Sequence, residues 1–321
     1  MNRSLLNKSI LEGRVLLAAC TIALLAFCWT RVWLVSQFEM SRFETVIEQF
    51  RDWEHFSPVP FEHLVTYTGR VAMAYDEPIL LLCVFLWVIA RGSDCVSGEI
   101  GRGTMEMLLA QPVSRIQVLW SQATVTLAGL ALLALTSWLG LYLGVHTNTI
   151  EEPRAPVWTI PWLGWQLPDP LAAEEIVRRP MADKVDMTHL IPAAVNLFSL
   201  GFFLAGLSSL LSSCDRYRWR TIGLVVGIYI VQLTIKIVGL ASEPLAWLCR
   251  FSFFTAYEPA RFVSIAVYHP ESTWSLILRN EVGDWNGLGP LGYNLILLTM
   301  GLAAYLGATL IFHRRDLPAP L

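Results

Sequence analysis

The sequence predicts an all-α membrane protein with six transmembrane helices. Of its 321 residues, 55% are hydrophobic and only 15% are charged, and the mean hydropathy is +0.51. The hydrophobic residues are grouped into six long stretches, and about 20 apolar residues are needed to cross a bilayer as a helix. A soluble globular chain is excluded by this composition.

The six predicted spans cover residues 15–35, 74–95, 116–145, 190–213, 221–241 and 290–312. Span two is extended to 74–95 because the uninterrupted apolar run that begins at Pro78 is too short to cross. Asp76 and Glu77 directly before Pro78 indicate a helix start, with a role in a substrate pathway as the alternative. Spans three and five contain Gly140-x-x-x-Gly144 and Gly223-x-x-x-Gly227, a spacing that lets helices approach closely.

Three long loops, 36–73, 146–189 and 242–289, lie on one side of these spans. In the first, the pattern from Ser41 to Trp53 predicts an amphipathic helix on the membrane surface. The second is rich in proline and tryptophan, and residues 172–179 are expected to form one or two helical turns. The third is expected to contain a re-entrant or interfacial helix pair. Arg31 and Lys236 lie near the same ends of their spans, where snorkelling to the headgroups is expected.

The distribution of basic residues predicts the orientation. Residues 1–14, 91–116, 212–220 and 313–321 together carry 11 Lys and Arg in 58 residues, whereas residues 36–77, 146–189 and 242–289 on the other side carry 10 in 134. Basic residues concentrate on the cytoplasmic side of membrane proteins. Both termini and the loop 96–115 are therefore predicted to be cytoplasmic, and the long loops external.

The loop 96–115 has the features of a short amphipathic helix between two spans. Thr104 is placed to cap this helix, Glu106 lies in its first turn and Pro112 prevents its continuation. Ser114-x-x-Gln117 is a capping-box pattern that begins the next helix. Met105, Leu108 and Leu109 share one face of the short helix. This face either rests on lipid or fills a groove on another protein, and the periodicity leaves both open.

The same loop resembles the signature of the permease subunits of type 2 ATP-binding-cassette (ABC) transporters. The matching residues are Gly98-Glu99, Gly103-Thr104, Glu106, Leu108-Leu109 and Pro112-Val113-Ser114-Arg115. Three weaker matches stand elsewhere in the chain, in the family's order: Asp94 just upstream of the loop, residues 247–259, and Arg314 to Leu317.

The resemblance implies the type 2 ABC exporter permease architecture and a cytoplasmic coupling loop that contacts a separate ABC ATPase subunit. It also implies pairing with a second copy or a related permease, and binding of ATP and Mg²⁺ by the ATPase rather than by this chain. The candidate coupling residues are Glu99, Gly103, Thr104, Met105, Glu106, Leu108, Leu109, Pro112 and Arg115. The expected location is the cell (inner) membrane.

Other functions find little support in the sequence. No G-x-x-x-x-G-K-[ST] phosphate-binding motif occurs, and the six histidines and six cysteines lack metal-ligand spacing. The basic clusters are short and are explained by orientation, so nucleic-acid binding is not indicated. The alternatives left open are an integral-membrane enzyme and a membrane protein that binds a partner without transport.

Overall fold

Long helices dominate the computed structural model, which describes residues 3–37, 49, 59–154, 157–159, 162, 166–168, 175–279 and 285–315. The α-helices are α1 (Arg3–Gln37), α2 (Phe61–Val65), α3 (Tyr67–Ala72), α4 (Pro78–Ser93), α5 (Glu99–Gly101), α6 (Thr104–Leu109), α7 (Arg115–Thr147), α8 (Ile191–Cys214), α9 (Arg218–Ala241), α10 (Pro259–Tyr268) and α11 (Pro290–Arg314). The strands are β1 (Thr149–Arg154), β2 (Val157–Thr159), β3 (Gln166–Pro168), β4 (Glu175–Pro180), β5 (Ile277–Arg279) and β6 (Trp285–Leu288).

Within these ranges, six helical segments are long and apolar enough to cross a membrane. They are Arg3–Gln37, Tyr67–Gly101, Arg115–Thr147, Met187–Cys214, Arg218–Ala241 and Pro290–Arg314, called spans one to six below. Each contains one of the predicted apolar stretches. The prediction of an all-α protein with six membrane-spanning helices is confirmed.

The second span is helical throughout but changes its winding twice. A 3₁₀ turn, Met73–Asp76, separates α3 from α4, and a π-helical turn, Asp94–Gly98, separates α4 from α5. Pro78 occupies the first turn of α4 after an extended Glu77, as expected where a proline begins a helix. The apolar run from Pro78 is short because it is only the middle section of this span.

Contacts between distant segments define one end of the bundle. The N-terminal part of α1 reaches α5 through Lys8 and Glu99. The start of α7 reaches the end of α11, where Arg115 donates to the Phe312 carbonyl. Arg315, just after α11, donates to the Ser213 carbonyl at the end of α8. We call this end the loop side, since it carries the loop 96–115, and the opposite end the far side.

Span four is the centre of the bundle and packs against spans two, three and six. Leu197, Leu200 and Leu204 are fully buried on it. Span one packs along span three, where a Cβ added to Gly144 would lie 2.6 Å from the Cβ of Val32. The glycine at 144 is therefore required for this close approach.

Span five lies at the outside of the bundle. Its only buried residues are Thr221, Val225 and Gly239. Nothing lies within 4 Å of a Cβ added to Gly223 or Gly227. The glycine pair of span three packs against span one, whereas the glycine pair of span five faces open space.

The far-side loops differ from two expectations. Residues 175–179, expected to be helical, form β4, which pairs antiparallel with β1 so that Glu152 faces Val177. The β-branched Ile176 and Val177 suit a strand. In the third loop, α10 is an α-helix, but Glu243–Phe251 is a 3₁₀ segment. The amphipathic helix predicted between Ser41 and Trp53 lies outside the described residues, apart from Gln49.

Two basic residues expected to snorkel instead have partners within the protein. Arg31 Nε lies 3.2 Å from Glu77 Oε1. Lys236 Nζ donates to the carbonyl oxygens of Phe254 and Tyr257, at 2.8 and 3.3 Å. These contacts give both charges a partner and tie spans one and five to far-side segments. The partners are too far apart in the sequence for a local pattern to predict them.

Candidate functional site: the loop between spans two and three

The short helix α6 begins in a different way from the one predicted. Gly103 precedes it with φ of 70°, and no side chain caps it. This left-handed conformation favours glycine. The hydroxyl of Thr104 donates to the carboxylate of Glu99 instead of accepting from the backbone. A charged acceptor within reach is the stronger partner, so the predicted Thr104 cap is wrong.

The start of α7 matches its prediction. Ser114 Oγ accepts from the Gln117 N–H at 3.2 Å, and Gln117 Oε1 accepts from the Ser114 N–H at 3.1 Å. This reciprocal capping box is confirmed and satisfies two backbone donors that a helix start leaves free. It fixes the point at which the loop ends and span three begins.

The apolar face of α6 is covered by the chain itself. Met105 is 2% exposed and Leu108 is 9% exposed. Met105 packs in a cluster with Cys95, Val96, Leu119, Ala308 and Phe312. Leu108 packs in a second cluster, with Leu5 and Val118. Leu109 is half-buried beside both clusters. The expectation that this face meets lipid or a partner is therefore wrong for Met105 and Leu108: the loop side of spans one, two, three and six supplies the covering surface.

The opposite face of the loop is exposed. Met107 has 68% of its surface accessible, which is unusual for a large apolar side chain beside a buried cluster. Its exposed neighbours are charged, polar or small. We call this surface the loop face; it consists of Glu106, Met107, Ala110, Gln111 and Pro112.

Glu99 is held in a buried ionic network directly before this helix. Its side chain has no exposed surface, and its carboxylate lies 2.7 Å from Lys8 Nζ and 3.3 Å from an Arg102 nitrogen. Gln122 Nε2, from span three, lies 3.5 Å away. A buried carboxylate requires such partners, because an unpaired charge inside a protein is strongly destabilising. Glu99 therefore joins spans one, two and three at the loop.

Asp94, the first residue of the π turn, is the second centre of this network. Arg102 donates to both of its oxygens, at 2.6 and 3.2 Å, a bidentate geometry that favours strong pairing. Arg218 of span five lies 3.4 Å from the carboxylate, and Arg91 lies 3.9 Å from it. Hydrogen bonding to Asp94 raises the pKa of Arg102 above its ordinary value. A cavity of about 380 Å³ opens beside these groups.

Arg115 links the start of span three to the end of span six. Its guanidinium donates to the carbonyl oxygens of Phe312, at 3.2 Å, and of Arg315, and lies 5.9 Å from the centre of the Phe312 ring. A cation is favoured at a helix C-terminus, where the carbonyl groups carry partial negative charge. Arg115 therefore holds the loop against the rest of the bundle rather than facing outward.

The nine candidate coupling residues thus differ in how exposed their side chains are. Gly103, Glu106 and Pro112 are exposed; Glu99, Met105 and Leu108 are buried; Thr104, Leu109 and Arg115 are intermediate. Met107 and Gln111 were missed on the exposed face. Helical periodicity places Met107 opposite Met105 and Leu108, and this signal could have identified it. Among the described residues, no group of three His, Cys, Asp or Glu side chains could hold a metal ion.

Comparison with known proteins gives this architecture a family. A family model described as "ABC-2 family transporter protein" matches residues 14–317. The match includes the loop, spans two to six and all of span one except its first residues. A search of curated proteins finds no matching relative. Members of the matched family are transmembrane components that pair with an ABC ATPase subunit and lack an ATPase site of their own. This chain is an integral membrane protein and belongs to the ABC-2 family of transporter permeases.

Proposed function

We propose that this protein is the permease subunit of an ATP-driven exporter in the cell (inner) membrane, with the loop side facing the cytoplasm. The family supports a permease that works with a separate ATPase, and the basic residues on the loop side support the orientation. ATP and Mg²⁺ are bound by the ATPase. The coupling loop of the permease is the segment that receives its movement.

The observation that carries this proposal is the division of the loop into a buried face and an exposed one. Because Met105 and Leu108 are buried within the chain, a partner has access to the loop face instead. That surface presents an apolar side chain, Met107, between the charged Glu106 and the amide of Gln111. An exposed apolar anchor with a polar rim is typical of a protein-binding surface.

The ionic network supports transmission of force from this surface. Glu99, Arg102 and Asp94 connect α6 to spans one, two, three and five through contacts between 2.6 and 3.5 Å. A push on the loop face therefore reaches several spans together instead of bending a free loop. ATP can favour an inward- or outward-facing state only through contacts that differ between the two states, and the loop face is where such contacts form.

We further propose that the permease pairs with a second copy or a related permease along span five. One permease provides one coupling loop, whereas an ATPase dimer needs two docking sites. Gly223 and Gly227 leave an open groove on span five, and small residues at this spacing are common where helices cross closely in membranes. Gly227→Leu is expected to reduce dimer cross-linking in native membranes. The control is Leu224→Ala, at an exposed neighbour, which keeps both glycines and should leave cross-linking unchanged.

Co-purification of the ATPase tests the central part of the proposal. Glu106→Lys and Met107→Ala are expected to lower the amount of ATPase recovered with the tagged permease by about tenfold or more, as for truncation of an interface anchor. Met300→Ala, at a 39% exposed methionine on span six, is the matched control and should retain it. Full recovery with both loop-face variants, at normal membrane insertion, would remove the loop face from the docking surface.

A further inference from the structure

The π turn Asp94–Gly98 interrupts the second span immediately before the loop. In an α-helix the Ser97 N–H would donate to the Ser93 carbonyl, four residues earlier. Here the hydroxyl of Ser212, from span four, lies between these two groups. Its oxygen accepts from the Ser97 N–H at 2.9 Å, and it donates to the Ser93 carbonyl at 2.9 Å.

Ser212 also receives a second backbone donor. The N–H of Val96 points to the same oxygen at 3.2 Å. A side chain inserted into the hydrogen-bond ladder is one of the few causes of a local change in helix winding. One buried hydroxyl thus accepts from two backbone N–H groups of the π turn and donates to the Ser93 carbonyl, which also accepts from Ser97 Oγ at 2.7 Å.

Neighbouring contacts hold the same turn against spans four and five. Ser97 Oγ lies 3.3 Å from Thr221 Oγ1 on span five, and Arg218 donates to the Ala90 carbonyl at 3.1 Å. A Cβ added to Gly92, one turn earlier, would lie 2.6 Å from the Cβ of Ser208, so the backbones of spans two and four approach closely here. The turn is fixed where three spans meet.

The π turn changes the rotation of the segment that follows it about the helix axis. One extra residue in a turn rotates the succeeding helix by about 100° relative to an uninterrupted α-helix. Glu99 is the first residue after the turn, so this rotation sets the direction in which its carboxylate meets Lys8 and Arg102. The rotation also carries the loop that follows Glu99.

From this geometry we infer that Ser212 is a positioning residue for coupling: its insertion into the backbone of span two sets the rotational register of the loop and links the loop's movement to span four. This inference rests on the proposed function for its mechanical meaning. The register itself is a property of the permease alone and is tested without the ATPase.

The chain offers a matched control one residue away. Ser213 is as deeply buried as Ser212, but its hydroxyl donates to the Ser209 carbonyl of its own helix. Ser212→Ala and Ser213→Ala therefore remove the same atom from the same helix. Only Ser212→Ala removes the acceptor of the Val96 and Ser97 N–H groups, so that the Ser97 N–H can bond the Ser93 carbonyl as in an α-helix. Ser212→Thr keeps the hydroxyl and serves as the rescue variant.

The first measurement is the distance between spin labels at Met107 and Trp219, two exposed positions on the loop and on span five, after Cys214 and Cys249 are replaced by Ser. We expect Ser212→Ala to move the main distance by about 5 Å or more, since a rotation of the register carries Met107 around the helix. Ser213→Ala and Ser212→Thr should give the wild-type distance. The same distance in Ser212→Ala as in Ser213→Ala would overturn the inference.

The second measurement uses the complex with its co-purified ATPase. Ser212→Ala leaves every loop-face side chain unchanged, so the ATPase is expected to remain bound to the displaced loop. The permease-dependent stimulation of ATP hydrolysis is expected to fall about fivefold, as for the loss of one buried hydrogen bond. Unchanged stimulation together with a shifted label distance would overturn the coupling role. If the wild-type chain recovers no ATPase, the proposed function fails, while the label distances still decide whether Ser212 sets the register.

Discussion

The ammonium group of Lys8 lies 2.7 Å from the carboxylate of Glu99, although 91 positions separate the two residues. Glu99 is completely buried, whereas the Lys8 side chain is about one-third exposed. The two partners therefore contribute unequally. Loss of the lysine leaves the buried Glu99 with Arg102 and Thr104, whereas loss of the Glu99 charge leaves Arg102 paired with Asp94 and Lys8 3.6 Å from Glu12.

Glu99→Gln is expected to destabilise the protein by about 2 kcal/mol, since it removes the charged acceptor to which Lys8 and Thr104 donate. Lys8→Met should destabilise it less. Thermal unfolding of the purified permease, followed by tryptophan fluorescence, measures both. Glu151→Gln is the control, because its pair with Arg178 is exposed and should contribute less than about 1 kcal/mol. A Glu99→Gln variant as stable as Glu151→Gln would contradict the network.

Gly144→Ala is expected to lower the unfolding temperature through overpacking against Val32, an effect that typically destabilises by about 1–3 kcal/mol. Gly101→Ala, where the new methyl meets only the Arg216 carbonyl oxygen at 3.9 Å, should leave the unfolding temperature unchanged or slightly raised, because alanine favours helix more than glycine does. The same thermal assay compares the two. Equal destabilisation by both changes would show that span three does not pack on span one as described.

Acidification is expected to weaken the contact between α2 and α10. His63 Nδ1 lies 2.6 Å from Ser264 Oγ, and its ring stacks on Tyr268 at 3.9 Å. Burial lowers the pKa of His63 below 6.5 despite the nearby Glu62, and His269 lowers it further. The folded state therefore binds the proton less readily than the unfolded state does. The stabilisation that neutral His63 provides is complete above pH 6.5 and is lost as the pH falls through the lower pKa of the folded state. The unfolding temperature should fall more steeply with acid in the wild type than in His63→Gln; parallel curves would refute this.

The proposed orientation predicts which sites an impermeant thiol reagent can reach. In a chain with Cys214 and Cys249 replaced by Ser, cysteines at Glu151 and Glu271 should react in intact cells, because both side chains are exposed on the far side. A cysteine at Gln111 should react only after the membrane is permeabilised. Labelling of Gln111→Cys from outside would reverse the orientation and with it the position of the ATPase.

The sequence predicted the six spans because each requires a long apolar stretch, a property that composition alone displays. It also predicted the capping box at Ser114, a pattern of adjacent residues. The cover over Met105 and Leu108 was not predictable in the same way. Periodicity identifies an apolar face, but the residues that cover it, such as Leu5 and Phe312, come from distant parts of the chain.

The remaining differences have a similar physical origin. Thr104 suits a helix cap, and only the buried Glu99 carboxylate beside it redirects its hydroxyl. The π turn depends on Ser212, which lies on another span and leaves no local signal around Asp94. Residues 175–179 became a strand because a partner, β1, was available for pairing. In each case a tertiary contact decided between local structures that the sequence allows.

The most direct test of the account is photo-cross-linking from Met107 in native membranes. A photoreactive phenylalanine analogue at Met107 should form a covalent adduct with an ABC ATPase, identifiable by mass spectrometry. The same group at Leu302, a 47% exposed residue of span six, should form none. Capture of the ATPase from Met107 alone is the predicted result. Adducts with lipid only, or with the ATPase equally from both positions, would contradict the claim that the loop face is the docking surface.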